Sequence, residues 1–183
     1  MLASGSGSLL QALIDSQDSS FEVTALITDQ RASVAIGRAA VAGIQVAVLP
    51  LDDFENRNAW NRALADAIDF YKPDLVVSAG FMRVVDPTVV AQFSGKLINT
   101  HPALLPAFPG AHAVRDALAA GVTKTGTTVH FIDEGVDTGE VIAQSEVAVL
   151  TSDDEATLHE RIKTVERQLL VDVVKDFAAK KVG

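Results

Sequence analysis

Short apolar runs alternate along the chain with longer segments in which apolar residues recur every three or four positions. The short runs are typical of buried strands, and the longer segments are typical of helices that pack on a sheet. This alternation predicts an α/β fold, with a Rossmann-like, mostly parallel sheet and helices on both faces. The predicted strands are residues 1–3, 21–28, 44–49, 74–79 and 96–100, and the predicted helices are residues 8–16, 33–42, 57–71 and 87–93.

The pattern changes after Gly121. Residues 125–132 and 139–150 both have strand character, and the short loop DEGVDT joins them, so we expect a hairpin-like pair. A helix is expected after Gly110, and one long helix at about residues 154–181. Its apolar residues share one stripe that can pack on the sheet: Leu158, Ile162, Val165, Leu169, Val173 and Phe177. No repeat or linker interrupts the chain, which predicts one domain.

Composition and charge narrow the class of protein. The net charge is −9 and no run of Lys or Arg stands out, which argues against a nucleic-acid partner. The absence of cysteine excludes disulfides and thiolate metal sites and is compatible with a reducing compartment. No apolar run reaches the roughly 18 residues that a membrane span needs. We therefore expect a cytoplasmic protein without a membrane partner.

The glycine-rich stretch SGSGS, residues 4–8, joins the first predicted strand to the first predicted helix. Backbone N–H groups at a helix start attract anions, so a phosphate is one expected ligand. A plain glycine turn capped by Ser8 is the alternative. No lysine follows as in a P-loop, and Leu10 replaces the third glycine of a dinucleotide fingerprint. Asp29 imitates the ribose-binding acid of that fingerprint, which leaves a nicotinamide enzyme open as a weaker alternative.

Asn99 and His101 share one face of a predicted strand because side chains alternate along a strand. Pro102 has no N–H group and ends the strand directly after them. In open α/β sheets, ligands bind at such carboxyl ends. An amide can stabilise an oxyanion and an imidazole can move a proton. With no Ser, Cys or Lys nucleophile beside them, the pair favours acyl transfer by direct attack of a substrate amine.

Such a histidine needs a carboxylate that holds its ring, and Asp137 in the loop GVDTG is the best candidate. An Asx turn at Asp137 is the alternative. A metal site built on His101, with His130 and Asp133, is weaker because no metal-ligand spacing is present, and we expect no metal. His130 is otherwise expected to be a hydrogen-bonded wall residue within its strand.

Three stretches carry a family resemblance: GFMR (residues 80–83), INTHPALLPAFPGAHAVRDAL (98–118) and GTTVHFIDEGVDTGEVIAQ (126–144). They closely resemble the folate-dependent phosphoribosylglycinamide formyltransferases of purine synthesis, and the likeness runs from the first residue to the last helix. It implies transfer of a formyl group from 10-formyltetrahydrofolate to glycinamide ribonucleotide by a monomer or homodimer. It also implies one domain, with residues 1–100 as the phosphate-binding half and residues 101–183 as the folate-binding and catalytic half.

The resemblance implies a role for each matching position. Asn99 would polarise the formyl carbonyl, His101 would be the general acid, and Asp137 would orient His101 and stabilise its charged form. The implied substrate-binding positions are Gly7, Ser8, Leu9, Pro102, Lys163 and Glu166, of which Glu166 could hold the amino group. The implied folate-binding positions are Arg57, Met82, Arg83, Val84, Val85, Asp133, Glu134, Gly135 and Val136. Leu9 stands where the family commonly has Asn, and Val85 where Leu is frequent.

Other classes of protein share part of this pattern. The methionyl-tRNA formyltransferases carry an extra C-terminal β-barrel and a basic face, and the formyl-tetrahydrofolate hydrolases carry an added N-terminal domain. We expect neither in this chain, and PAFPG (residues 106–110) is closer to the glycinamide enzymes. A non-catalytic module that binds folate or a nucleotide stays open. The complete set of Asn99, His101 and Asp137 argues against it.

Overall fold

The computed structural model describes residues 1–182. The chain divides into two compact units, Met1–Ile98 and Asn99–Gly183, called here the first and second unit. The predicted single domain with halves 1–100 and 101–183 stays a prediction. Within residues 1–182, no helix is both long and apolar enough to cross a lipid bilayer.

The strands of the first unit are parallel. Strand β1 (Ala25–Thr28) pairs in parallel with β2 (Gln45–Val48). On its other side lies the predicted first strand, reduced to parallel bridges that Leu2 forms with β1 and with β3 (Val76–Ser78). Leu2 is fully buried, as expected for the centre of a layer of strands.

The predicted strand 21–28 is wrong in its first four residues, since β1 begins at Ala25. Phe21 instead forms an antiparallel bridge with Asp18. The Asp18 carboxylate accepts a hydrogen bond from Ser20 N at 2.8 Å, and the Gln17 side chain accepts one from Val23 N at 2.6 Å. Local polar side chains thus satisfy this backbone, and the segment turns back on itself.

The helices of the first unit begin and end within one residue of the predicted positions. They are α1 (Ser8–Asp15), α2 (Val34–Val41), α3 (Arg57–Tyr71) and α4 (Pro87–Gln92). A short 3-10 helix, Leu51–Asp53, was not predicted. The small buried residues Ala35 and Ala39 of α2 pack with Leu10 of α1 and Leu26 of β1. Their size allows α2 to approach α1 closely, which matters for the loop before α1.

The second unit contains the predicted antiparallel pair. Strand β4 (Leu97–His101) crosses the boundary between the units, and β5 (Lys124–Phe131) pairs antiparallel with β6 (Val141–Ala148). The helices are α5 (Ala113–Ala119) and α6 (Glu155–Val182). The predicted pair and the predicted long helix are therefore confirmed, with small changes at their ends.

Helix α6 buries a stripe that differs from the predicted one. Leu158, Ile162 and Val173 are buried as expected, but Val165, Leu169 and Phe177 are only half-buried. The fully buried row advances in steps of four, so Glu166 and Leu170 continue it after Ile162. A carboxyl group therefore occupies a position in the helix that the packing would otherwise assign to an apolar side chain.

Candidate active site

Asn99 and His101 lie at the carboxyl end of β4. His101 is only 4% exposed, and Asn99 is half-buried. The Nε2 atom of His101 lies 2.8 Å from the Phe108 carbonyl oxygen, and its Nδ1 lies 3.3 Å from Asp137 Oδ2. Both partners are acceptors, so an imidazolium with a proton on each nitrogen donates to both of them. The ring is thereby held in one orientation.

The Asp137 carboxylate is shared between two histidines. Its Oδ2 faces His101 and accepts a hydrogen bond from Gly110 N at 2.8 Å, while its Oδ1 lies 3.6 Å from His130 Nε2. The pKa of Asp137 is lowered from its ordinary value, first by the facing His130 ring and then by the Gly110 N–H and the charges of both imidazoles, although burial raises it. The carboxylate is therefore ionised at neutral pH.

The loop that carries Asp137 frees this carboxylate for the histidines. The Asx turn considered for Asp137 is made by Asp133, whose Oδ1 accepts hydrogen bonds from Gly135 N at 3.0 Å and Thr138 Oγ1 at 2.7 Å. Asp137 itself has a φ of 56°, a left-handed conformation that costs roughly 1–3 kcal/mol in a residue other than glycine. A cost of this kind is typical of a residue that is held for a function.

His130 lies closer to the predicted site residues than the sequence indicated. It is 2% exposed, and its Nδ1 lies 2.8 Å from the Phe131 carbonyl oxygen, as a wall residue would. Its Nε2, however, lies 3.2 Å from Asn99 Nδ2 and faces Asp137. With a proton on Nδ1 alone, Nε2 accepts from the Asn99 amide; with protons on both nitrogens, it donates towards Asp137. His130 thus fixes the amide of Asn99 and forms one network with Asp137.

Thr128 and Gln144, which the sequence reasoning missed, fasten the proline-rich segment after His101. The Thr128 hydroxyl accepts a hydrogen bond from Leu105 N at 3.1 Å and donates to a carbonyl of the segment at 2.6 Å. Gln144 Nε2 donates to the Leu105 carbonyl at 2.8 Å and to Thr128 Oγ1 at 2.9 Å. These bonds fix the segment that brings the Phe108 carbonyl to His101.

The glycine loop in the first unit ends in a helix start without a side-chain cap. Gly7, not Ser8, is the N-cap of α1, with a φ of 67° and no side-chain hydrogen bond to the helix. A Cβ atom at Gly7 would lie 2.7 Å from the Cβ of Ala35 in α2, so only glycine fits. Leu9 is buried, which leaves its backbone N–H as the group that can bind an anion.

Side chains at the start and in the middle of α2 bind the carbonyl groups of the same loop. Ser33 Oγ donates to the Gly5 carbonyl at 2.9 Å, and Arg38 Nε donates to the Ser6 carbonyl at 2.8 Å. The carbonyl groups are thus turned towards α2. Arg38 also places a positive charge beside a loop that is suited to a phosphate.

The predicted folate-binding residues of the first unit form one segment held by Arg57. Its guanidinium donates to the Val84 carbonyl and lies 4.5 Å from the centre of the Trp60 ring. In the segment, Met82 and Val84 are 74% and 62% exposed, while Val85 is buried. Two apolar side chains are therefore available for a ligand, and the backbone beneath them is fixed.

Asp29 is not free to bind a ribose. It is 3% exposed, and its two oxygens accept hydrogen bonds from Ser4 Oγ at 2.5 Å, Arg83 Nε at 2.7 Å and Gln30 Nε2 at 2.9 Å. Burial raises the pKa of Asp29, but the bonds from Ser4, Arg83 and Gln30 outweigh it and lower the pKa. The acid that suggested a nicotinamide enzyme is thus fully engaged inside the protein.

The remaining predicted residues lie in the second unit. Pro102 is half-buried next to His101, and Lys163 Nζ donates to Glu160 Oε1 at 2.8 Å. The loop residues Asp133, Glu134, Gly135 and Val136 are exposed.

Glu166 is 5% exposed, and burial raises its pKa against the effect of the Thr100 hydroxyl and the nearby cations. Because Thr100 points away from the face of Asn99 and His101, Glu166 lies on the opposite side of β4.

The substitution Glu166→Gln is expected to stabilise the folded protein at neutral pH. The raised folded-state pKa of Glu166 means that the wild type loses stability as the pH rises above the ordinary value of 4.5 and through the folded-state value, because a buried carboxyl group must ionise. Gln does not ionise. Melting temperatures measured from about pH 4 to about pH 8 should therefore separate above pH 4.5 and converge below it.

Glu160→Gln, an exposed substitution on the same helix, is the matched control. The folded-state pKa of Glu160 is lowered, chiefly by the hydrogen bond from Lys163, so this substitution should not produce the same separation. Parallel curves for wild type and Glu166→Gln across the whole range would contradict the expected cost of a buried carboxylate.

Comparison with known proteins places this geometry in a family. A family model described as formyl transferase matches residues 1–174. The chain is 51% identical over 180 residues to the phosphoribosylglycinamide formyltransferase of Mycobacterium tuberculosis (strain CDC 1551 / Oshkosh), covering 97% of this chain and 83% of the relative. It is 40% identical over 181 residues to the enzyme of that name from Escherichia coli (strain K12), covering 97% and 85%.

Solved structures agree with this similarity. Glycinamide ribonucleotide transformylase 1 from Symbiobacterium toebii matches with a TM-score of 0.94 at 37% identity, over 98% of this chain and 86% of that chain. The predicted α/β fold with mostly parallel strands is confirmed.

Proposed function

Because the chain belongs to the formyl transferase family, we propose that it transfers the formyl group of 10-formyltetrahydrofolate to the amino group of glycinamide ribonucleotide in purine synthesis. The observation that carries this proposal is the likeness over nearly the whole chain to two enzymes named for that reaction. The cluster of Asn99, His101 and Asp137 supplies the chemistry that the reaction needs.

In the proposed reaction, the substrate amine attacks the formyl carbon and forms a new C–N bond. Asn99 donates a hydrogen bond to the oxyanion of the tetrahedral intermediate. His101, as an imidazolium, supplies a proton as the bond from carbon to N10 of the folate breaks. The amine nitrogen gives up a proton, so the products are the formylated ribonucleotide and tetrahydrofolate.

The contacts of the site support these roles. Asp137 is ionised and faces the Nδ1 atom of His101, so the opposite nitrogen, Nε2, is the one that delivers the proton. Nε2 then exchanges the Phe108 carbonyl for the substrate. His130 keeps the Asn99 amide in place from the side, which makes it a positioning residue for the oxyanion donor.

Ligand-binding residues are assigned by the same proposal. The N–H groups of Gly7, Ser8 and Leu9 hold the phosphate of the ribonucleotide, and Pro102 and Lys163 contact the rest of it. The predicted contact with Glu166, which is buried on the other side of β4 from His101, stays a prediction. The folate is bound by Arg57, by Met82, Arg83, Val84 and Val85, and by Asp133, Glu134, Gly135 and Val136. Action in the cytoplasm as a monomer or homodimer, without a resident metal, a nucleic-acid partner or a membrane partner, stays a prediction.

Release of tetrahydrofolate from 10-formyltetrahydrofolate, followed by absorbance, tests the function. We expect release only when glycinamide ribonucleotide is present. Release without the ribonucleotide would instead indicate a hydrolase. No release under either condition, from protein that binds the folate, would indicate a binding module.

A further inference from the structure

A buried polar cluster in the first unit lies beneath two segments that the proposed function uses for different ligands. Its centre is Asp29, at the end of β1. Ser4 Oγ donates to Asp29 Oδ1 at 2.5 Å and accepts a hydrogen bond from Met82 N at 2.9 Å. Arg83 Nε donates to Asp29 Oδ2 at 2.7 Å. Gln30 Nε2 also donates to Asp29 Oδ2 at 2.9 Å, so the cluster contains four side chains and one backbone N–H group.

The cluster connects the glycine loop to the folate segment. Ser4 is the first residue of the loop 4–8, and Met82 and Arg83 begin the segment 82–85. A further backbone bond of 3.0 Å runs from Ser4 N to the Gly80 carbonyl. One carboxylate, through its two oxygens, thus fixes the start of the loop and the start of the segment relative to each other.

Packing alone does not explain why a carboxylate occupies this buried position. Apolar residues of similar volume often stabilise a core as well as, or better than, a buried ion pair. What directed hydrogen bonds add is a defined geometry, since each bond weakens steeply when its angle changes. The bonds from Ser4 and Arg83 fix directions that apolar contacts would leave loose.

We propose that Asp29 is a positioning residue that sets the placement of the phosphate-binding loop relative to the folate-binding segment, so that the affinities for both substrates depend on one buried carboxylate. This inference rests on the proposed function for the identity of the two ligands. Asp29 touches neither ligand. It acts through Ser4 on one segment and through Arg83 on the other.

Steady-state kinetics of Asp29→Asn and Ser4→Ala test the proposal. In Asp29→Asn, an amide N–H group faces Arg83 or Ser4, so we expect KM for both substrates to rise about tenfold, the usual effect of losing a bond to a charged group. The turnover number should stay within about threefold of the wild type. Ser4→Ala should raise both KM values by a smaller factor. The double variant should be no worse than Asp29→Asn alone, because both changes break one network.

Asp53→Ala is the matched control, since it breaks the exposed ion pair between Arg31 and Asp53 in the same unit and should leave both KM values unchanged. A rise in only one KM would overturn the proposal. So would unchanged KM values together with a lower melting temperature, which is the signature of a structural role. If Asp29→Asn does not fold, Ser4→Ala decides alone by the same criteria.

Failure of the proposed function can be told apart from failure of this inference. If the wild type releases no tetrahydrofolate, the function is wrong, and the inference is then judged from binding. Titration calorimetry would measure glycinamide ribonucleotide alone and 10-formyltetrahydrofolate alone, with wild type and with Ser4→Ala. Parallel weakening of both would support the role of Asp29, and weakening of one or neither would overturn it.

Discussion

Replacing His101 with alanine is expected to lower the turnover number by about 10²–10⁴-fold, the usual share of general acid–base catalysis. The reason is that the variant keeps the strand and the loop but loses the imidazole whose Nε2 faces the Phe108 carbonyl and is proposed to deliver the proton. Folate binding should be largely unaffected, because the proposed folate contacts come from other residues. Single-turnover rates together with direct folate titration would measure both quantities.

His159→Ala is the matched control for His101→Ala, because His159 is a half-buried histidine on α6 and is not among the residues that contact His101 or Asp137. It should turn over at the wild-type rate. An unchanged turnover number in His101→Ala would remove His101 from the mechanism. A loss of folate binding in parallel with activity would point instead to a damaged fold.

Asp137→Asn is expected to lower the turnover number by about 10²-fold or more and to change the shape of the pH–rate profile. Asparagine has nearly the same size and can still accept the bond from Gly110 N, so the loop should stay in place. What is lost is a negative charge 3.3 Å from the Nδ1 atom of His101.

The direction of the pH effect follows from charge. The pKa of Asp137 is lowered, so the carboxylate is charged throughout the neutral range and attracts a positive charge that forms on the facing ring. Without this charge, the turnover number should begin to fall at a lower pH on the alkaline side of the pH–rate profile. Asp116→Asn, a change at a half-buried position on α5, should leave the profile unaltered. A lower rate without the shift to lower pH would mean that Asp137 acts through geometry alone.

The sequence could predict the strand of the candidate site because two strong local rules agree there. Alternation puts Asn99 and His101 on one face, and Pro102 cannot continue the ladder. The sequence could not predict the position of His130, because that depends on which strand lies beside β4. Strand order is a property of the tertiary fold, so the contact between His130 and Asn99 leaves no mark in the spacing of the chain.

Local rules also could not decide which of two aspartates forms a turn. In the loop 133–138, Asp133 and Asp137 are both able to form an Asx turn, and only the conformation at Asp137 decides between them. On α6, the period of apolar residues predicted a buried stripe but not its exact course. Glu166 lies at a buried position of this row, where packing alone would favour an apolar residue.

The network of two imidazoles around one carboxylate affects how many protons the site exchanges with water during a reaction cycle. With Asp137 ionised and one proton added to either imidazole, the cluster has no net charge, which is the least costly state for a buried group of this kind. The proposed reaction removes one proton from the attacking amine and adds one to the departing nitrogen of the folate. A cluster that lends a proton and then recovers one ends each cycle as it began, so turnover requires no net exchange of protons with bulk water.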